Sequence, residues 1–161
     1  SSLEEALAET LNKVIDDFSF YAQVDEDIDY NSRLANRFST SVKPGLPVDF
    51  DYGEFLNDFG IVVSNRLHVL LPAMSEGLLP IVMISKQHIK LRSLVETNGW
   101  GDCIVYTDQL GDIAGRVQQI VRQADRIRHR NYNSLVKLRN EAQNYIKNMV
   151  SSTSPSNMKT N

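Results

Sequence analysis

Apolar residues along this chain recur in two patterns, one-sided helical stripes and short unbroken runs, and the two alternate. Leu3, Leu7, Leu11 and Val14 lie on one side of a helix over 3–14. Residues 18–24 read as a strand, and the spacing predicts a helix over 28–38 with Asp25 or Asp27 as its N-cap. The run Lys43-Pro-Gly-Leu-Pro-Val48 is a turn-rich connection, followed by a short helix over 52–57.

The central segment carries the clearest pattern. Gly60 to Ser64 is a β-branched run, Leu67, Leu70, Leu71 and Met74 form an apolar face on a helix from Arg66 to Ser75, and Leu79 to Ile84 is a buried-strand run. A short helix starting at Lys90 leads to a last strand at Cys103 to Thr107. Leu110, Ile113, Val117, Ile120 and Val121 mark a helix over 109–127. Leu135, Leu138, Ala142, Tyr145 and Met149 mark another over 132–150, set apart by the polar run from Arg126 to Asn131. Strands alternating with helices imply an α/β fold, a Rossmann-like parallel sheet with helices on both faces. A chain of 161 residues suits one domain over 1–150. The Ser-, Thr-, Asn- and Pro-rich stretch 151–161 is expected to be a disordered tail.

Composition sets limits. Hydrophobic content of 42% and charge of 23% suit a soluble globular domain, and no apolar run approaches the ~20 residues of a membrane span. A cytoplasmic place, free or peripheral to the membrane, is therefore expected. The lone Cys103, inside an apolar strand, argues against a disulfide framework and reads as a small core residue. Charge is divided unevenly: residues 1–58 hold 13 of the 20 acidic side chains and 4 of the 17 basic ones, so the remainder carries 7 against 13. Arg116, Arg122, Arg126, Arg128, Arg130, Lys137 and Arg139 lie on helices with apolar faces and lack interleaved base-stacking aromatics. They read as a solvated face, not a nucleic-acid interface.

Candidate chemistry concentrates at one turn. Arg66 and His68 fall at the carboxyl end of the first central strand, where backbone N–H groups and the helix dipole favour a carboxylate or phosphate. A cation there opposes the dipole and so calls for an anion, which the planar Arg fork matches bidentately. Ser64 and Asn65 suit either ligand oxygens or the turn itself. Metal chemistry is not expected: the histidines at 68, 88 and 129 share no ligand spacing, and Asp25 to Asp29 lacks the Gly and distal Glu of a calcium loop. There is no Gly-rich phosphate loop and no nucleophile elbow.

Ser64, Arg66, Leu67 and His68, followed by Gly77 and Pro80 ahead of the second strand, resemble the signature of the polysaccharide pyruvyl transferase family, with one extra residue between Gly77 and Pro80. The stretch from Lys90 to Gly99 and the acidic lead-in from Val24 to Ala35 are similar to that family's pattern too. The resemblance spans residues 3–124, and Arg-Leu-His is its one sharp motif. It implies the C-terminal lobe of a two-lobed glycosyltransferase-B type enzyme. The chain opens directly on a helix with no initiator Met and no first lobe, so half an enzyme, inactive alone, is expected.

The resemblance further implies phosphoenolpyruvate as donor, no separate cofactor, and a saccharide or lipid-linked saccharide as acceptor, in cell-surface or exopolysaccharide biosynthesis. His68 would be the acid that protonates the methylene carbon, Arg66 the anion clamp, and Lys90 a point charge on the phosphate. Ser64, Asn65 and Leu67 complete the substrate-binding set. Lys86 and His88 are substitutes for Lys90, and the base belongs to the missing N-terminal lobe. Plainer readings stand beside these: Arg66 paired with an acid at the helix start, His68 capping a loop carbonyl, Lys90 a solvated lysine. Two rival functions remain. One is the nucleotide-sugar-binding lobe of a glycosyltransferase or epimerase, with Glu76 as a ribose contact; the other is a non-catalytic Rossmann-like interaction module. The helix over 132–150 either crosses to the first lobe or packs on its own domain.

Overall fold

All six residues of Leu79–Ile84 are buried. Successive strand side chains point to opposite faces, so this strand is covered on both. The computed structural model describes residues 3–15, 17–21, 25–43 and 52–152. Its elements are α1 (Leu3–Asn12), β1 (Phe20–Tyr21), α2 (Asp25–Arg37), β2 (Val42–Lys43), α3 (Tyr52–Leu56), β3 (Ile61–Ser64), α4 (Leu67–Ser75), β4 (Leu79–Ile84), α5 (Ile89–Thr97), β5 (Ile104–Tyr106), α6 (Ile113–Arg122) and α7 (Ala124–Ser152). Short 3-10 turns stand at Gly101–Cys103 and Leu110–Asp112. Strands β3, β4 and β5 form one parallel sheet in that order, while β1 and β2 form a separate parallel pair. The architecture is α/β and Rossmann-like, a parallel sheet flanked by helices.

Pro80 in a central strand looks like an error until the register is followed. The Leu79 amide bonds to the Gly60 carbonyl toward β3, so the next residue turns its nitrogen the other way. On that side β5 pairs only with Val82, Met83 and Ile84. Pro80 thus withholds an N–H where no neighbour needs it. Helices α4 and α5 end alike. Gly77 and Gly99 stand at φ 78° and 76°, conformations an L side chain adopts only with strain. The Gly77 amide bonds to Met74 O and Leu78 to Ala73 O, and Gly99 bonds to Glu96 O while Trp100 bonds to Val95 O. These are two Schellman stops, each burying the next apolar residue, Leu78 or Trp100. Of Gly77 and Pro80, two residues of the sequence signature, Gly77 thus has a structural reason for its identity and Pro80 is tolerated where it stands.

The core gathers Leu70, Met74, Val95, Trp100, Ile113, Val117, Ile120 and Ile127 around the sheet, with Leu11 and Val14 of the α1 side packed against it. Each such aliphatic side chain contributes about 1.5–3 kcal/mol when fully buried.

Several boundaries differ from the sequence expectation. Helix α2 starts at Asp25, so Asp25 is its first residue, Asp27 lies inside its first turn, and neither precedes the helix as an N-cap. The strand expected over 18–24 has only Phe20–Tyr21 in strand form, and 22–24 lie outside the described residues. The same is true of 44–48 and of 153–161. The helix expected over 109–127 divides: α6 closes at Gln123, whose φ of −106° and ψ of 15° end the run, and α7 begins at once. The polar stretch from Arg126 to Asn131 is not a separator but the buried root of α7, with Ile127 and Asn131 each 1% exposed. Arg126 is solvated as expected, its side chain 67% exposed, whereas Arg128 and Arg130 are half-buried on partners distant in sequence. Arg130 pairs with Asp102, and Arg128 donates to the Gly60 carbonyl at 2.7 Å. Arg116 of α6 donates to the Asp102 carbonyl at 2.8 Å and the Ile104 carbonyl at 3.1 Å. All of these acceptors precede or open β3 and β5, so the arginines brace the amino ends of the strands.

Candidate anion site at the strand ends

A cavity of about 1010 Å³ runs along the edge strand β3, from Gly60 to Asn65, and reaches the residues where β4 and β5 finish. Ser64, Ser85 and Thr107, the residues at or just past the three strand ends, line it together with Asn65, Arg66 and His88. In an open parallel sheet this is the edge where ligands bind, because the loops that follow the strands diverge there. The loops are held in place by the backbone. Thr107 N bonds to Ile84 O at 3.0 Å, His88 N bonds to Ser85 O at 3.0 Å, and the Asp108 carboxylate accepts from the Lys86 amide at 3.3 Å.

Arg66 sits at the N-cap of α4 with extended φ −111° and ψ 116°. Its amide bonds to the Ser64 hydroxyl at 3.0 Å, so Ser64 shapes the turn that aims Arg66, the turn-forming role allowed for it by sequence. The first amides of α4 have no intrahelical acceptor, and the dipole adds positive potential at the same spot. The guanidinium meets a carboxylate: Nη1 lies 3.0 Å from Oδ2 of Asp27 and Nη2 lies 3.5 Å from Oδ1. Asp27, Tyr30 and Asn31 of α2 line the cavity beside it. Both the ligand reading and the acid-pairing reading of Arg66 thus describe one place.

The sequence candidates do not all converge. Ser64, Asn65 and Arg66 face the cavity. Leu67 packs instead on the core and lines a second groove of about 640 Å³ between α4, α5 and α7, so the motif divides after Arg66. His68 and Lys90 are exposed on the first turns of α4 and α5 and line neither space. His88, the substitute, is the histidine that faces the strand ends. Its neighbour Lys86 places Nζ 5.8 Å from the Tyr106 ring, a cation–π contact. Glu76 lines the second groove, on the far end of α4 from Arg66, which removes it from contact with a ligand at the strand ends.

Sequence reading overlooked Asp27, Asn31, Ser85 and Thr107. The first two were hidden by long-range packing, since 39 positions separate Asp27 from Arg66. Ser85 and Thr107 were accessible to the strand-end rule, which points to the residue after each parallel strand. Part of the cavity wall is aromatic. Phe18, Phe20, Tyr21, Phe55 and Phe59 line it, with Tyr21 and Phe55 ring centroids 5.3 Å apart and Phe55 and Phe59 5.4 Å apart. The space therefore combines a cation and hydroxyls at the strand ends with aromatic side chains elsewhere on its wall. Among the described residues no group of three or more His, Cys, Asp or Glu side chains is placed to hold a metal, and no helix is long and apolar enough to cross a membrane. Comparison with protein families, with curated proteins and with solved structures finds no match to this chain.

Proposed function

We propose that this chain is the C-terminal lobe of a polysaccharide pyruvyl transferase, binding phosphoenolpyruvate at the strand-end cavity. The observation that carries the reading is Arg66, first residue of the Arg-Leu-His motif, lining that cavity at a helix N-terminus beside Ser64, Asn65, Ser85 and Thr107. A cation, backbone amides and hydroxyls at one spot suit a small ligand with a carboxylate and a phosphate.

In the reaction two sugar hydroxyl oxygens bond to the enolpyruvyl carbon and the carbon–oxygen bond to phosphate breaks. One hydroxyl proton is made good at the methylene carbon and the other departs with phosphate. Arg66 would hold the anionic ends of the donor. The proton for the methylene falls to an imidazole, whose ordinary pKa lies near neutrality. His68, exposed on the first turn of α4, would serve in a cleft completed by the other lobe, and His88 stands on the cavity side. Lys90, exposed on α5, would steady the phosphate from the same open side. The acceptor sugar would stack on the aromatic wall. Cytoplasmic assembly of surface or exopolysaccharide is the setting this chemistry fits.

A second reading draws on that same aromatic wall: a nucleobase would stack there with its diphosphate at Arg66, as in a nucleotide-sugar-binding lobe. Calorimetric titration of the chain with phosphoenolpyruvate and with a panel of nucleoside diphosphate sugars separates the two. Preferential binding of phosphoenolpyruvate supports pyruvyl transfer. Binding confined to the nucleotides transfers the site to the second reading.

A further inference from the structure

We propose that Asp27 is a built-in competitor for this anion site, its carboxylate occupying the Arg66 fork until a ligand phosphate or carboxylate replaces it. The inference rests on the strand-end anion site of the preceding reading, but not on pyruvyl transfer as its chemistry.

Four observations lead to it. Arg66 adds a positive charge to the positive end of α4, an arrangement that requires an anion nearby. Asp27 supplies one with unequal grip, 3.0 Å on one arm and 3.5 Å on the other, which falls short of the short parallel geometry of a full bidentate pair. Both side chains line the cavity and are 40% and 30% exposed, so a dissolved anion reaches the pair and water already weakens it. Finally, α2 has anchors of its own. Asn31 Nδ2 donates to the Tyr21 carbonyl at 3.1 Å, and Arg37 pairs with Glu5 and Glu9 of α1. Releasing Asp27 therefore breaks one part-exposed ion pair and leaves these anchors of α2 in place.

Such an arrangement has a quantitative signature. A ligand that needs the fork binds only the fraction of molecules in which Asp27 has let go, and its apparent affinity falls by that fraction. The factor is the same for every anion, whatever its charge. A general repulsive field from Asp27 would instead weigh more heavily on the more highly charged ligand.

The test uses Asp27→Asn, which keeps shape and removes charge, with Arg66→Gln and the double variant. Inorganic phosphate, phosphoenolpyruvate and a nucleoside diphosphate are titrated calorimetrically into each at fixed ionic strength. Asp27→Asn is expected to tighten every anion that binds by one common factor, about two- to fivefold for an exposed pair, and to change nothing in the Arg66→Gln background. Weaker binding in Asp27→Asn would show that Asp27 orients Arg66, and the competitor would be withdrawn. A gain that grows with ligand charge, a gain that persists without Arg66, or no anion bound by either the parent or Asp27→Asn would overturn it equally. Phosphate binding that tightens while phosphoenolpyruvate fails to bind would keep the competitor and remove the donor assignment.

Discussion

Arg130, near the root of α7, closes both arms of its guanidinium on the Asp102 carboxylate just ahead of β5. Arg126 approaches the same carboxylate at 3.5 Å. The buried Asn131 completes the joint, its Oδ1 accepting from Arg130 at 2.8 Å and its Nδ2 donating to Cys103 Sγ at 3.4 Å. One carboxylate thus ties the longest helix to the amino end of the last strand.

Asp102→Asn should therefore destabilise the fold while leaving the strand-end site untouched. A charge-assisted hydrogen bond contributes ~1.5–3 kcal/mol, and exposure of Arg130 discounts this to roughly 1–2 kcal/mol. Thermal melts should show a fall of about 2–8 °C at this chain length. Phosphate affinity measured beside the melts should not change.

The same pair sets an acid limb. Burial pushes the Asp102 carboxyl up, but hydrogen bonds and charge from Arg130, with Arg126 adding, outweigh it and hold the net value below the ordinary carboxylate range. A depressed folded pKa gives stability that is fully present above the unfolded value of about 4 and is lost as the pH falls through the folded one. Urea midpoints taken from pH 6 down to pH 2 should fall more steeply below pH 4 for the parent than for Asp102→Asn, and the two curves should converge at the acid end. Parallel curves would mean the pair contributes nothing through ionisation.

Cys103 should be chemically quiet. Burial, opposed by the Asn131 hydrogen bond and reinforced by the Asp102 charge, pushes its thiol up to about 11. At pH 8 only about one thiol in a thousand is then the reactive thiolate, and access is closed besides. Iodoacetamide should label the native chain about a hundredfold or more slowly than the urea-unfolded chain. Equal rates would show that the joint under α7 opens freely.

Much of this fold was legible before any coordinates. The bounds of β4 are those read from the unbroken run Leu79 to Ile84, because a strand buried on both faces leaves no polar gap to misplace its ends. Gly77 stood out ahead of the second strand and Gly99 at the close of the Lys90 stretch, though the Schellman bonds that require them did not. The failures share a cause. Arg126 to Asn131 reads as a polar break because Arg130 shows its charge in sequence while its partner Asp102 lies 28 positions earlier. Asp27 reads as a cap because nothing nearby announces Arg66. Local pattern carries periodicity and turn chemistry, whereas an ion pair between remote segments leaves no trace in either. The candidate site suffers most, since Asp27, Tyr30, Asn31 and Leu34 reach its wall from α2, remote in sequence from the strand ends.

Arg66→Lys keeps the charge and loses the fork. Removing one arm of a charge-assisted pair costs ~1.5–3 kcal/mol, so phosphoenolpyruvate affinity should weaken roughly tenfold to a hundredfold. Stability should move little, because the Asp27 partner is an exposed pair worth ~0–1 kcal/mol and Lys can still face it. Calorimetric titration alongside thermal melts checks both. An unchanged dissociation constant with a melt several degrees lower would make Arg66 a brace between α2 and α4, and the donor assignment would fall.

The outer half of α7 poses the last question. Leu135 packs against the core, but from Val136 to Ser151 every residue is exposed, with Tyr145 at 67%, Ile146 at 59%, Met149 at 52% and Val150 at 62%. A helical stretch this short, without a buried face, is marginal in water. Hydrogen exchange should show amides of 124–135 protected at the level of global unfolding and those of 141–152 exchanging orders of magnitude faster. Truncation after Asn140 should then leave the melting temperature within about 2 °C, since the removed side chains bury little. Slow exchange along the whole helix in the isolated chain, or a large drop on truncation, would mean that the stripe is covered in solution. A second copy of the chain, or the other lobe of the proposed transferase, would then be what covers it.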